Sequence, residues 1–126
     1  MAAKKANSAQ VKWMEDITEW AAQPRSLAML YGDEWDMSPI QRHHVLGRSA
    51  KHNKVSIGHY FILPVPFELH DVSSNHPLNV THRKKAFIEE FGRQSELFQA
   101  MYSCMEMDGY TVPDINIYNA IMSTRV

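Results

Sequence analysis

The stretch that decides the fold runs from Gln41 to Tyr60: QRHHVLGRSAKHNKVSIGHY. It sets His43 beside His44, places Gly47 three residues on, and spreads Arg42, Arg48, Lys51, Lys54, His52 and His59 around them. HHVLGR reads as a strand that ends in a glycine turn. HYFILPV reads as a second strand, aromatic and β-branched. Pro64 and Pro66 are expected to end that second strand, because neither can donate to a ladder. Adjacent residues of a strand point to opposite sides. His43 and His44 can therefore serve different partners, one a metal and the other a water.

Helices are expected on both sides of this centre. SAQVKWMEDITEWAAQP has Trp13, Ile17 and Trp20 at helical spacing, Ser8 as a cap and Pro24 as a stop. That spacing predicts a buried stripe for the tryptophans. RSLAMLYG adds a short helix before Gly32. DEWDMSPIQ is acidic and turn-like; Asp33, Glu34 and Asp36 are candidate carboxylate ligands, against which a solvated loop is favoured because nothing fixes their geometry. A long helix is expected from near Thr81. VTHRKKAFIEEFG and RQSELFQAMYSCMEM are both amphipathic, with Gly92 between them. Phe98, Met101 and Met105 read as core. VPDINIYNAIMSTRV reads as a last helix opened by Pro113 or Asp114.

A chain of 126 residues, 44% hydrophobic, favours one domain. Its parts are an N-terminal helical segment (1–40), a central core (41–92) and C-terminal helices (93–126). Cys104 is the one cysteine, which excludes an intrachain disulfide and a cysteine-rich zinc finger and fits a reducing cytosol. No apolar run approaches the ~20 residues of a membrane span. MAAKKANSAQ has no apolar stretch behind its lysines, so it does not read as a secretory signal. Charge is uneven. Between Arg42 and Lys85, seven basic residues face two acidic ones, a net +5, whereas the rest carries −6 and the whole chain −1. A basic centre with acidic flanks suggests a local polyanion site.

All seven histidines lie between His43 and His82. Phosphodiester hydrolysis needs an activated water, a cation to stabilise charge on the phosphate and leaving oxygen, and a grip on the backbone. Neutral imidazole accepts a proton near neutral pH and also ligates metals. His52, between lysines in a turn, reads as exposed or as a phosphate contact. The Arg83–Lys85 run reads as a solvated helix face to which a phosphate partner would give a purpose.

This layout resembles the ββα-metal, or HNH, nuclease family. RHHVLGR looks like its first strand, and HYFILPVPFELH like its second strand and the helix that follows. Pro66 and Leu69 stand where many members have cysteines, so the extra structural zinc of those members is not expected. The closer resemblance is to the phage Ref recombination-enhancement nucleases, through HHVLG, LPV, ELHD and AFIEEFGRQSELF, over roughly residues 41 to 101. DVSSNHPLNVT looks like an insertion relative to that pattern.

The resemblance implies an α+β fold, with a ββα-metal motif embedded in a mainly helical small domain. It implies a metal-dependent DNA endonuclease, phage or prophage encoded, acting in the host cytoplasm. One divalent ion (zinc, magnesium, manganese or nickel) would be the cofactor. DNA would be the partner, a recombinase or another phage or host DNA-processing protein is admitted beside it, and no membrane is involved. His43 and His70 become metal ligands and His44 the general base. His82 is the first choice for the third ligand, with His76 its rival and Asn75 and Asn79 weaker. No asparagine that orients the base is evident. His59 lies nearest that position by register, and Asn53 is less well placed. Arg42, Arg48, Lys51, Lys54, Lys84 and Lys85 would contact phosphates. The competing reading is a non-catalytic nucleic-acid-binding module with a structural, histidine-held zinc.

Overall fold

The computed structural model describes residues 5–126, so the reading of MAAKKANSAQ falls partly on residues outside the described ones. Helix α1 spans Ser8–Ala21 and α2 spans Ser26–Tyr31. Strand β1 (Ile40–His44) follows, then a hairpin of β2 (Lys51–His52) and β3 (Val55–Ser56), and then β4 (Ile62–Pro66). The short α3 (Phe67–His70) leaves β4 directly. Helices α4 (Lys84–Phe91), α5 (Gln94–Met107) and α6 (Ile115–Ser123) complete a small α+β fold.

Asn7, not Ser8, caps α1: its side chain accepts from the Gln10 N–H while Gln10 returns a bond to the Asn7 N–H. Asp114 caps α6 as expected, accepting from the N–H groups of Asn116 and Ile117. Asn53 and Lys54 both have positive φ, 52° and 66°, as a tight two-residue hairpin turn between β2 and β3 demands.

β1 and β4 pair antiparallel, from Ile40 opposite Pro66 to His44 opposite Ile62. The prolines do not end β4, and the register explains why. Ladder bonds run from the Val45 N–H to the Phe61 carbonyl and from the Phe67 N–H to the Pro39 carbonyl. The hydrogen-bonded pairs of this register are therefore the odd-numbered residues of β1 with the odd-numbered residues of β4. Pro64 and Pro66 fall on the alternate positions, where no N–H is required. The Pro64 carbonyl, turned away from β1, accepts from the Tyr31 hydroxyl at 2.8 Å.

β4 is buried along its whole length, packed between β1 and the helices α1, α3 and α5. One apolar cluster takes Ile17 and Trp20 from α1, Leu27 from α2, Phe61 and Leu63 from the β4 region, Phe87 from α4, and Phe98, Met101 and Met105 from α5. Each such side chain contributes roughly 1.5–3 kcal/mol on burial. The exposed ion pairs Lys12–Asp16 and Arg25–Asp33 add little by comparison.

Between α3 and α4 the chain is irregular, and Asn79, fully buried, organises it. Its Nδ2 donates to the Glu68 and Asp71 carbonyls, and its Oδ1 accepts from the N–H groups of Thr81 and His82. The helix expected from Thr81 consequently starts at Lys84, because residues 81 and 82 are held in a turn by Asn79. Asn79→Ala would strand two carbonyls and two N–H groups. It is expected to cost about 2–4 kcal/mol in urea unfolding. A loss under ~0.5 kcal/mol would show that water replaces all four bonds.

Candidate active site

Alternation along β1 divides the site in two. Gln41 and His43 lie on one side of the strand, Arg42 and His44 on the other.

On the first side, the rings of His43 and His70 meet edge to face, with centres 4.9 Å apart. His43 Nε2–H donates to Gln94 Oε1 at 2.7 Å. His70 Nδ1–H donates to Gln41 Oε1, and Gln41 Nε2 donates in turn to Asp71 Oδ1 at 2.8 Å. Amide oxygens only accept, so these bonds fix the neutral tautomers. The lone pairs are left on His43 Nδ1 and His70 Nε2. Burial pushes His43 down to about 4. The neighbouring His70 ring adds to the shift, the bond to Gln94 opposes it, and His44 and Lys84 depress it further. Burial also lowers His70, against the pull of Asp71.

These residues suit a metal. Ligation requires neutral imidazole. Two imidazoles on one tetrahedral zinc, bonded at about 2.0–2.1 Å, have ring centres about 5 Å apart. Each ring also has its second nitrogen held by a polar partner, as metal-bound histidines usually do. Gln94, buried at the start of α5, and Gln41 are the residues that sequence reasoning missed. Strand alternation could have found Gln41. No spacing rule points to Gln94, which lies 51 residues from His43.

On the second side, the rings of His44 and His59 lie 5.4 Å apart, also edge to face. They line a cleft of about 500 Å³ with Arg42, Arg48 and Lys5. His44 Nε2 is buried and has no hydrogen-bond partner among the described residues. Burial pushes His44 down to about 4, assisted by His59, Arg48 and Arg42. Arg42 is steadied by donating from Nε to the Thr18 hydroxyl at 3.0 Å. Gly58 makes the arrangement possible: a Cβ there would stand 2.1 Å from the Arg48 carbonyl oxygen. Without a side chain, the chain before His59 passes directly against Arg48. A neighbouring cleft of about 600 Å³ shares Lys5, Arg48 and His59 and adds Lys51.

The expected sites are thus brought together unevenly. His43 joins His70, and His44 joins His59, with Arg42, Arg48 and Lys51 on the His44 side and Lys84 beside His43. Lys54 sits in the hairpin turn and Lys85 is exposed on α4, and neither lines these clefts. His82 does not join His43 and His70. It is exposed, and its Nε2–H donates to the Val72 carbonyl at 2.7 Å. His76 packs against Trp35, ring centres 5.4 Å apart. Asn79 is consumed by its loop, and Asn53 donates to the Ser123 hydroxyl. Among the described residues no three His, Cys, Asp or Glu side chains gather at one point. No described helix is long and apolar enough to cross a membrane.

Comparison with protein-family models, curated proteins and solved structures finds no match to this chain.

The depressed histidines tie stability to pH. His43 and His44 are near 4 when folded and about 6.5 when unfolded, so between those values the unfolded chain binds more protons. Their contribution is complete above pH 6.5 and is lost as pH falls towards 4. In EDTA, Tm is expected to drop by roughly 5–10 °C between pH 7 and pH 4.5, and His43→Gln is expected to flatten that dependence. An unchanged slope in the variant would remove His43 as a source.

Proposed function

We propose that this protein is a metal-dependent DNA endonuclease of the HNH, or ββα-metal, type, closest in pattern to the phage Ref nucleases. The observation that carries the reading is the pair of histidine couples on opposite sides of β1. His43 with His70 forms a neutral, hydrogen-bonded couple. His44 with His59 lines a cleft walled by arginines.

His44 has the role of general base. It is neutral at pH 7, and the residue lines the cleft that Arg42 and Arg48 wall. Arg42 and Arg48 bind the scissile phosphate, and planar guanidinium suits that task because it meets two phosphate oxygens at once. A phosphate anion beside His44 raises the affinity of the ring for a proton, so substrate binding itself strengthens the base. His59 packs against the His44 ring and limits its rotation. His43 and His70 would hold the divalent ion, whose chemistry is to stabilise charge on the phosphate and the leaving 3′ oxygen. Gln94, Gln41 and Asp71 orient those two rings. Cleavage in this sense leaves a 5′ phosphate.

A closed structural zinc asks for four protein ligands. The described residues bring two imidazoles together, fewer than either kind of zinc site uses, so what supports the catalytic reading is the second couple, His44 with His59, beside the Arg42 and Arg48 cleft.

The test is nicking of supercoiled plasmid across a panel of divalent metals, with EDTA as control. His44→Ala is expected to lower nicking by about 100-fold or more while keeping the metal content of the wild type. His43→Ala and His70→Ala are expected to lose both. His82→Ala is expected to keep most of both, because its ring is engaged with Val72. A His44→Ala protein that nicks like wild type would remove the base from the mechanism. Metal loss in His82→Ala would return that residue to the ligand set.

DNA binding should weaken steeply with salt. Each phosphate neutralised adds about 0.9 to the magnitude of the log–log slope. Arg42→Ala and Arg48→Ala should each lower that magnitude by about one. A slope unchanged in both variants would place the phosphate grip elsewhere.

A further inference from the structure

The β1–β4 ladder has a second cleft at its other end, where Ile40 faces Pro66 and the Phe67 N–H donates to the Pro39 carbonyl. It measures about 550 Å³; Trp35, Pro39, Pro66 and Phe67 form its apolar surface, and Glu34, Glu68 and His76 also line it. His44 closes the opposite end of the same strand pair, so this cleft is separate from the histidine site.

Two observations point to a ligand. Phe67 is 44% exposed, a large aromatic left at the rim of a concave surface. The carboxylates of Glu34 and Glu68 have no cation or hydrogen-bond donor among the described residues, although nearby Asp33 is paired with Arg25.

The needs of the cleft specify its occupant. Two unpaired carboxylates call for a cation. An aromatic and proline surface beside them calls for a flat one. Guanidinium stacks on indole and directs its N–H fork at carboxylates, whereas the compact ammonium of lysine cannot do both. Glu34 and Glu68 disfavour an anionic occupant. We infer that this cleft receives an arginine-bearing segment of a protein partner. The inference does not depend on the nuclease reading, since it uses none of the residues of the histidine site.

The experiment is fluorescence anisotropy with labelled, capped hexa-arginine, hexalysine and (Gly-Ser)3 peptides at moderate salt, joined to NMR of the tryptophan indole N–H signals. Hexa-arginine should bind saturably and more tightly than hexalysine, and (Gly-Ser)3 should not bind. Glu34→Gln/Glu68→Gln should weaken hexa-arginine by about tenfold or more. Glu89→Gln/Glu90→Gln, which removes two exposed charges from α4, should leave it within about twofold. The indole signal lost in Trp35→Phe should be the one that moves on titration. Equal weakening in the two glutamate pairs would mean diffuse attraction to an acidic surface and would overturn the proposal. Equal affinity for hexalysine, or an unmoved Trp35 signal, would overturn it as well. Matching circular dichroism of the variants and wild type keeps misfolding from counting as either outcome.

Discussion

Everything in this molecule is referred to the register of one antiparallel pair. With Ile40 opposite Pro66, odd residues of β1 exchange hydrogen bonds and even ones do not. A slip of one residue would move His43 to the side of His44, break the match between the prolines of β4 and the silent positions of the ladder, and turn buried side chains outward. The prolines thus act as a register check. They are tolerated in one alignment and would each waste a β1 carbonyl in the adjacent one. The Tyr31 hydroxyl reinforces that alignment by binding the Pro64 carbonyl on the free side.

Two of the four strands and most of the helices are legible because their signals are local, whereas the short β2–β3 hairpin is not. HHVLGR overlaps β1 only at His43 and His44, since the strand begins at Ile40, and the aromatic and β-branched HYFILPV covers most of β4; a stripe of Trp13, Ile17 and Trp20 identified α1, and Gly92 marked the break between α4 and α5. Errors arose where a residue's partner is distant. Pro64 and Pro66 were read as terminators because the rule concerns hydrogen-bonded positions, and those depend on the facing strand. The start of α4 was placed three residues early because Asn79 draws Thr81 and His82 into a turn, which no helix propensity reveals. The pairing of His43 with His70 was anticipated through resemblance. The roles of Gln94 and Asp71 were not, because one comes from a helix start far along the chain and the other acts through Gln41.

Electrostatics sets the charge state of the two adjacent histidines. Burial and mutual repulsion hold His43 and His44 in the neutral form, and Arg42, Arg48 and Lys84 add to that effect. The same cations that suppress protonation in the free protein are the groups positioned to take an anion. Binding of phosphate neutralises them and so removes part of the suppression. A site of this kind remains unprotonated while empty and becomes more basic when occupied. A base works best when its pKa lies near the working pH, so the upward push of a bound phosphate moves His44 in the direction that a general base would need.

The four residues of α3 bring the two ends of the molecule into mechanical contact. Phe67 and Glu68 face the acidic cleft, Leu69 is buried in the core, and His70 meets His43. The helix is too short to be stable by itself. Its geometry is imposed from outside, by the Phe67–Pro39 backbone bond at its start, by Leu69 in the core, and by Asn79 binding the carbonyls of Glu68 and Asp71. Gln41 then joins His70 to Asp71, so the ring is fixed by the residue that follows it and by the strand beside it. A single helical turn so constrained has little freedom to tilt at one end without moving the other. The position of His70 is therefore set jointly by the β1–β4 register and by the Asn79 loop, and the precision of the histidine couple follows from their agreement.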